Sequence, residues 1–470
     1  MLGGMNKPET TATDASAPRR HLTLFDSTSI IVGIIIGATI YESSPFIAGN
    51  VASIWSLLGA WLLGGLLSLL GALCYAELAT AFPRQGGDFI YLSKAFGRPL
   101  GFLFAWCQLW VVRPGSIGAM AYVFARYADQ LVPLGSGEDR SAALLSYAVG
   151  SVVVLSVVNI LGVQTGKWTQ NVLTTAKVAG LSLVAIVGLL FTSPQAAAVK
   201  PSEGGSASFG LAMILILFAY GGWNEMAYVG AEVRDPRKNI LRALILGTVA
   251  VAAIYLVVML AFLHAMGGLA GLQQAKAVAA DVFSLGFGPW GGKFISLLIA
   301  VSALGAINGQ VFTGARIYYA MGQEHRMYGV LGRWSPLLGT PVWSLLVQGA
   351  ITLAVVVGFG WAGAHKGFEK MVIFTTPVFW FFLVLVGISL FVLRRREPES
   401  PEPYRVPLYP IVPIVFCLSS LYMAYSGVRY AIDNKSPEAF WSIGLLLVGV
   451  VLCFFDRRPE TPPEPTNRAA

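Results

Sequence analysis

Long apolar runs recur along this chain from Leu24 to Phe455. Each is close to the roughly 20 residues that a helix needs to cross a hydrocarbon core. Inside a bilayer the backbone has no water to bond, so a run that satisfies its own N–H and C=O groups must be helical. Twelve runs qualify, at about 24–47, 52–80, 99–128, 141–162, 168–193, 208–232, 240–266, 290–322, 341–361, 369–393, 408–430 and 437–455. Charged residues make up 12% of the chain, and mean hydropathy is +0.67. Soluble domains carry about 25% charged residues, and a soluble chain of 470 residues would divide into domains with polar surfaces. An all-α, membrane-embedded domain of twelve helices is the economical reading.

The net charge of +8 gathers on no amphipathic face, which argues against a nucleic-acid partner. It sits in short loops between apolar runs, where an excess of Lys and Arg marks the cytoplasmic side. With the N-terminus inside, 21 Lys and Arg fall on the cytoplasmic side, 9 outside and 2 within spans. Both termini are therefore expected in the cytoplasm of a multi-pass cell-membrane protein. Residues 1–20 are polar without an apolar signal core, and 456–470 are rich in Pro and Glu; both ends are expected to be disordered. Cys74, Cys107, Cys417 and Cys453 fall in expected spans without paired spacing and read as small buried hydrophobes. Four scattered histidines offer neither metal-ligand spacing nor an HExxH pattern. A membrane enzyme, a metal site and a bound cofactor are not expected on this pattern, and His264 and His325 read as structural.

Two apolar runs carry residues that permit a break. The first reads GIIIGATIY from Gly33 to Tyr41, and the sixth reads FAYGGWNE from Phe218 to Glu225. Small residues at these spacings also serve close helix packing. Runs one and six, however, open two successive sets of five, and five is odd, so the second set enters the bilayer from the opposite side. Broken helices at matching places in inverted halves point to a transporter's binding site. Half-helix N-termini offer N–H groups and a positive dipole end to a carboxylate, and freed carbonyls accept from an ammonium. An amino acid zwitterion satisfies both.

Charges inside runs are few. Lys177 lies about ten residues into the fifth, where an ammonium costs about 2.5 kcal/mol or more unless partnered. It is expected either to replace a bound sodium ion beside broken-helix carbonyls or to snorkel as a structural lysine. Arg113, followed by Pro114, reads as a structural ion pair or a cap for a carbonyl freed by the proline. Glu77 and Glu232 read as gate ion pairs or solvated charges, and the deeper Glu225 as a candidate protonatable group.

These residues lie in longer patterns. FAYGGWNEMAYV from Phe218 is followed by EVRDPRKN from Glu232. Glu77 precedes PRQGGD at Pro83, AING starts at Ala306 ahead of Arg316, and PYRVPLYP starts at Pro403. Over nearly its whole length the sequence resembles the amino acid–polyamine–organocation superfamily, and within it the L-type amino acid transporter branch and its bacterial members. The resemblance implies a LeuT-type fold with helices 1 and 6 broken. It places a ten-helix core at 21–397, formed by inverted five-helix repeats at about 24–193 and 208–393, and two peripheral helices at 398–455. It implies that Ile36, Gly37, Ala38, Thr39 and Ile40, with Phe218, Ala219, Tyr220 and Gly221, hold the substrate's carboxylate and amino groups. Phe218 matches a gating aromatic. Lys177 matches a lysine that goes with sodium-independent transport. Asn224, Asn308 and Trp380 match residues in or just behind the pocket.

Two departures carry consequences. The branch usually reads Gly-Ser-Gly where this chain has Gly37-Ala38-Thr39, so Thr39 adds bulk and stiffness where a glycine would let the backbone approach a ligand. The loop 133–140 has no cysteine, where eukaryotic members use one to bond a glycoprotein subunit; no such subunit is expected. The leading expectation is sodium-independent transport of small or neutral L-amino acids, by exchange through alternating access. Proton-coupled symport, antiport of cationic amino acids or polyamines, and a non-transporting amino acid sensor remain open.

Overall fold

The computed structural model describes residues 20–455 apart from 135–139, 194–208, 276, 362–365, 397–398, 400 and 434. The tails expected at 1–20 and 456–470 lie outside the described residues, Arg20 excepted, as does most of the 133–140 loop. Among the described residues there are helices and two isolated bridges, Leu22 with Val233 and Ser335 with Thr340, and no strand.

The chain starts with a short broken helix. Thr23 caps α1 (Leu24–Ile35) through a reciprocal capping box with Asp26. After residues 36–38 the chain resumes as α2 (Thr39–Glu42) and α3 (Ser44–Gly49). Next come α4 (Ile54–Ala81), α5 (Asp88–Phe96) and α6 (Arg98–Cys107). One π-helical turn, Gln108–Val112, joins α6 to α7 (Arg113–Leu131). Pro114 explains the turn: it lacks an N–H and its ring crowds the preceding turn, so the ladder widens. The Gln108 carbonyl accepts from the Tyr318 hydroxyl at 3.1 Å. Then come α8 (Arg140–Ile160) and α9 (Val163–Leu190).

A second broken helix follows. α10 (Phe209–Ala219) stops at Tyr220, and the chain resumes as a 3₁₀ helix, Trp223–Glu232. Gly222 makes the turn with φ 118°, a left-handed backbone for which glycine is suited. Then come α11 (Pro236–Ala265), the short α12 (Leu269–Gln274) and α13 (Val278–Phe287), α14 (Gly291–Glu324), α15 (Val342–Trp361), α16 (Gly367–Leu393), α17 (Ile411–Asp433) and α18 (Pro437–Cys453).

Among the described residues, ten helical stretches are long and apolar enough to cross a membrane, counting each broken helix as one stretch. Helical segments also occupy 98–131 and the shorter Pro437–Cys453, where the third and twelfth runs were read. Lipid is as apolar as leucine, so close approach of helices rests on small residues and polar ties. α4 shows this. A Cβ added at Gly64 would lie 2.3 Å from Ile216, and one at Gly71 would lie 2.6 Å from Trp223. These glycines let α4 lie directly against both arms of the second broken helix.

Candidate functional site

Both breaks face one cavity of about 130 Å³, walled otherwise by α7, α14 and α16. From the first break it takes Ile34, Ile35, Gly37 and Thr39, and from the second Leu217, Phe218, Gly221, Gly222, Asn224, Glu225 and Tyr228. Gln108, Arg113, Ser116 and Met120 face it from the third helix, Ala306 and Gln310 from α14, and Thr375, Phe379 and Trp380 from α16.

The two glycines of the first break have separate jobs. A Cβ at Gly33 would meet Gln170 Nε2 and Thr174 Oγ1, each at 2.2 Å, so Gly33 is a packing glycine against α9. A Cβ at Gly37 would meet nothing closer than 3.9 Å, and this residue lines the cavity.

Lys177 is fully buried in α9 and reaches the first break. Its Nζ donates to the carbonyls of Gly33 at 2.6 Å, Ile36 at 2.9 Å and Ser302 at 2.8 Å. An ammonium has three protons, and all three are used. The Ser302 hydroxyl also donates to the Ile36 carbonyl, at 2.9 Å. A Cβ at Gly305 would lie 2.9 Å from Nζ, so the glycine makes room for the ammonium. From α11, the Tyr255 hydroxyl lies 3.1 Å from the Ile35 carbonyl and 3.2 Å from the Ala219 carbonyl, touching both breaks at once.

Arg113 and Glu225 form a buried ion pair in the cavity wall, Nη1 to Oε2 at 2.8 Å. The Thr313 hydroxyl donates to the same carboxylate oxygen at 2.6 Å, and Arg113 Nε donates to Gln108 Oε1 at 3.2 Å. The guanidinium lies 5.0 Å from the centre of the Tyr228 ring. The ion pair expected of Arg113 is present, but it is part of the cavity surface and its partner is Glu225.

Other expected positions fall elsewhere. Asn308 is fully buried away from the cavity, bonding Asn159, the Gly166 carbonyl and Gln170. Its partner Gln170 packs against Gly33, which puts Asn308 just behind the first broken helix. Tyr220 is fully buried and turns from the cavity toward α4, its hydroxyl donating to the Trp61 carbonyl at 3.1 Å. Ile36, Ala38, Ile40 and Ala219 are buried, and none of them lines the cavity.

Glu232 is paired, with neither oxygen left to solvent. Arg316 grips it through Nε at 2.7 Å and Nη2 at 3.1 Å, and Gln85 donates to it at 2.8 Å. The Glu232 carbonyl accepts from the Leu22 N–H, so the start of α1 is tied to the end of the second broken helix. Glu77 accepts from the Val406 N–H at 2.6 Å and lies 3.3 Å from Arg394. That cluster ties α4 to the segment between α16 and α17.

Of the buried acids not singled out from sequence, one stands behind the cavity residue Tyr228. Asp88, 3% exposed, accepts through Oδ2 from Tyr75 at 2.9 Å and Tyr228 at 2.7 Å, while its Oδ1 is buried without a partner among the described residues. Burial pushes its carboxyl up to about 7 against the lowering by those two hydroxyls. Only its place in PRQGGD marked it, and that motif gives no hint that two tyrosines from other helices converge on it.

The family model for amino acid permeases matches residues 22–452. The chain belongs to the amino acid permease family. The permease is 30% identical over 442 residues to the b(0,+)-type amino acid transporter 1 of Mus musculus, covering 93% of this chain and 88% of the relative. It is 29% identical over 435 residues to the serine/threonine exchanger SteT of Bacillus subtilis (strain 168), covering 92% and 96%. It is 29% identical over 428 residues to the large neutral amino acids transporter small subunit 2 of Mus musculus, covering 88% and 78%. These relatives are named as transporters, and the permease's apolar helices fit a membrane transporter of the amino acid–polyamine–organocation superfamily.

Proposed function

We propose that this permease exchanges small neutral L-amino acids across the cell membrane without sodium. The observation that carries the reading is the hold of Lys177 on two carbonyls of the broken first helix and one of α14, beside a cavity shared by both breaks. A fixed ammonium supplies the positive charge that a bound cation would otherwise bring to those carbonyls. In this reading the N–H groups at 38–40, around the cavity residue Thr39, bind the substrate carboxylate, since the first N–H groups of a helical turn lack intrahelical partners and those of Ile36 and Gly37 are taken by the Val32 and Ile35 carbonyls. Carbonyls at 218–221 accept from its ammonium, and Phe218 covers the pocket.

Twelve membrane crossings, with two inverted five-helix repeats at about 24–193 and 208–393 and helices 11 and 12 outside them, complete the proposal. The loop charges favour a cytoplasmic position for both termini. One relative is named a small subunit; the absence of cysteine from 133–140 favours a permease that works without a disulfide-linked partner. Among the described residues no disulfide joins the four cysteines.

The test is uptake into proteoliposomes. Internal unlabelled substrate should accelerate entry of labelled substrate, which neither a sensor nor a channel does. Replacing sodium by choline at constant pH should leave initial uptake unchanged; a several-fold drop would refute sodium independence. A second reading, proton-coupled symport, is favoured by Asp88, whose buried carboxyl reaches the cavity residue Tyr228 by one hydrogen bond. Uptake that collapses when a pH gradient is dissipated would select it over exchange.

Thr39 lines the cavity at the start of α2, so its side chain narrows the space beside the proposed carboxylate-binding groups. Thr39→Gly should broaden the accepted side-chain size, at a cost of about 1 kcal/mol or less in helix stability. In competition from glycine and alanine up to leucine and phenylalanine, the variant should shift toward the larger competitors. An unchanged profile would remove Thr39 from the determinants of substrate size.

A further inference from the structure

We propose that the Arg113–Glu225 pair is the side-chain subsite of the cavity and selects amino acids with uncharged side chains that both donate and accept a hydrogen bond, the serine, threonine, asparagine and glutamine class. The inference rests on the transport reading above. Both residues line the cavity, and the pair is saturated on one side only. Arg113 Nη1 and Glu225 Oε2 bond each other, Arg113 Nε is used by Gln108, and Thr313 also bonds Oε2. Among the described residues, Arg113 Nη2 and Glu225 Oε1 have no hydrogen-bond partner. The pair therefore offers a free N–H donor and a free carboxylate acceptor with no net charge.

That combination discriminates in two ways. A carboxylate side chain gains the donor but meets Glu225, and an ammonium side chain gains the acceptor but meets Arg113, so each charge is offset. An aliphatic side chain of the right shape covers the pair and leaves its donor and acceptor unsatisfied, the situation in which hydrogen-bonding sites reject isosteres most strongly. An amide or a hydroxyl meets both groups. The remaining buried acid nearby, Asp88, stands behind Tyr228 and does not line the cavity.

The wild-type permease tests this without mutation. Threonine should compete for uptake about tenfold better than its isostere valine, and asparagine better than leucine by a similar factor. Two variants then read the charge. Glu225→Gln leaves the guanidinium uncompensated and should bring glutamate and aspartate in as competitors. Arg113→Gln leaves the carboxylate and should bring in lysine and ornithine. The double variant, neutral again, should return to the uncharged class. Isostere pairs that compete equally would overturn the proposal, as would folded single variants that keep the wild-type charge profile. If the single variants do not fold, the isostere pairs alone decide. Absence of any amino acid uptake would instead refute the transport reading on which this subsite depends.

Discussion

Lys177→Ala should reduce transport at least about tenfold, a penalty of ~1.4 kcal/mol or more in the cycle, while the detergent-purified protein still runs as a single folded species. The ammonium is the shared partner of three carbonyls from α1, the first break and α14. Without it, a void opens beside the Gly33 and Ser302 carbonyls, while the Ile36 carbonyl keeps only the Ser302 hydroxyl of its two side-chain donors. A buried acceptor left unsatisfied costs about 1–3 kcal/mol, though water can offset part of it. The cost falls on the break and not on the many packed helices around it, so the fold should survive where the geometry of residues 33–37 does not. Lys177→Met separates charge from volume, because its side chain fills much of the same space without donating. Transport by either variant at the wild-type rate, with normal expression, would reduce Lys177 to a structural tie.

Breaking the Glu232–Arg316 pair should have the largest effect on stability. Both side chains are 1% exposed, and the geometry is two-pronged. Removing one member of a buried pair leaves an uncompensated charge and costs about 3–5 kcal/mol. Arg316→Met should therefore lower the thermal midpoint sharply and reduce recovery of monodisperse protein. Glu232→Gln/Arg316→Met removes both charges and should recover a large part of that loss, since apolar or neutral replacements of a whole buried pair are often tolerated. If Arg316→Met melts like the wild type, the pair is not holding the end of the second broken helix against α14.

The sequence carried the helices and the two breaks well, because both depend on local facts. A run of apolar residues needs its own hydrogen bonds in lipid, and a glycine such as Gly222 can take the left-handed turn that a break requires. Gly33 and Gly37 were alike on paper, since spacing does not say which neighbour each one meets. Only the approach of Gln170 and Thr174 separates the packing glycine from the cavity glycine. Asn308 could not be placed in or behind the pocket from sequence for a related reason: a polar residue mid-helix must be satisfied, but spacing does not say that its partners here come from α8 and α9. The π-helical turn at 108–112 lies next to Pro114, a local signal, whereas the convergence of Tyr75 and Tyr228 on Asp88 joins residues up to 140 positions apart.

The placement of Tyr255 has a mechanical consequence. A phenol has one proton, and this one is suspended between the Ile35 and Ala219 carbonyls at nearly equal distance. It cannot be given wholly to both. If one break shifts, the hydroxyl tightens on the other carbonyl, so the two arms are arranged like the pans of a balance hung from a single pivot on α11. What one broken helix gains in restraint, the other loses.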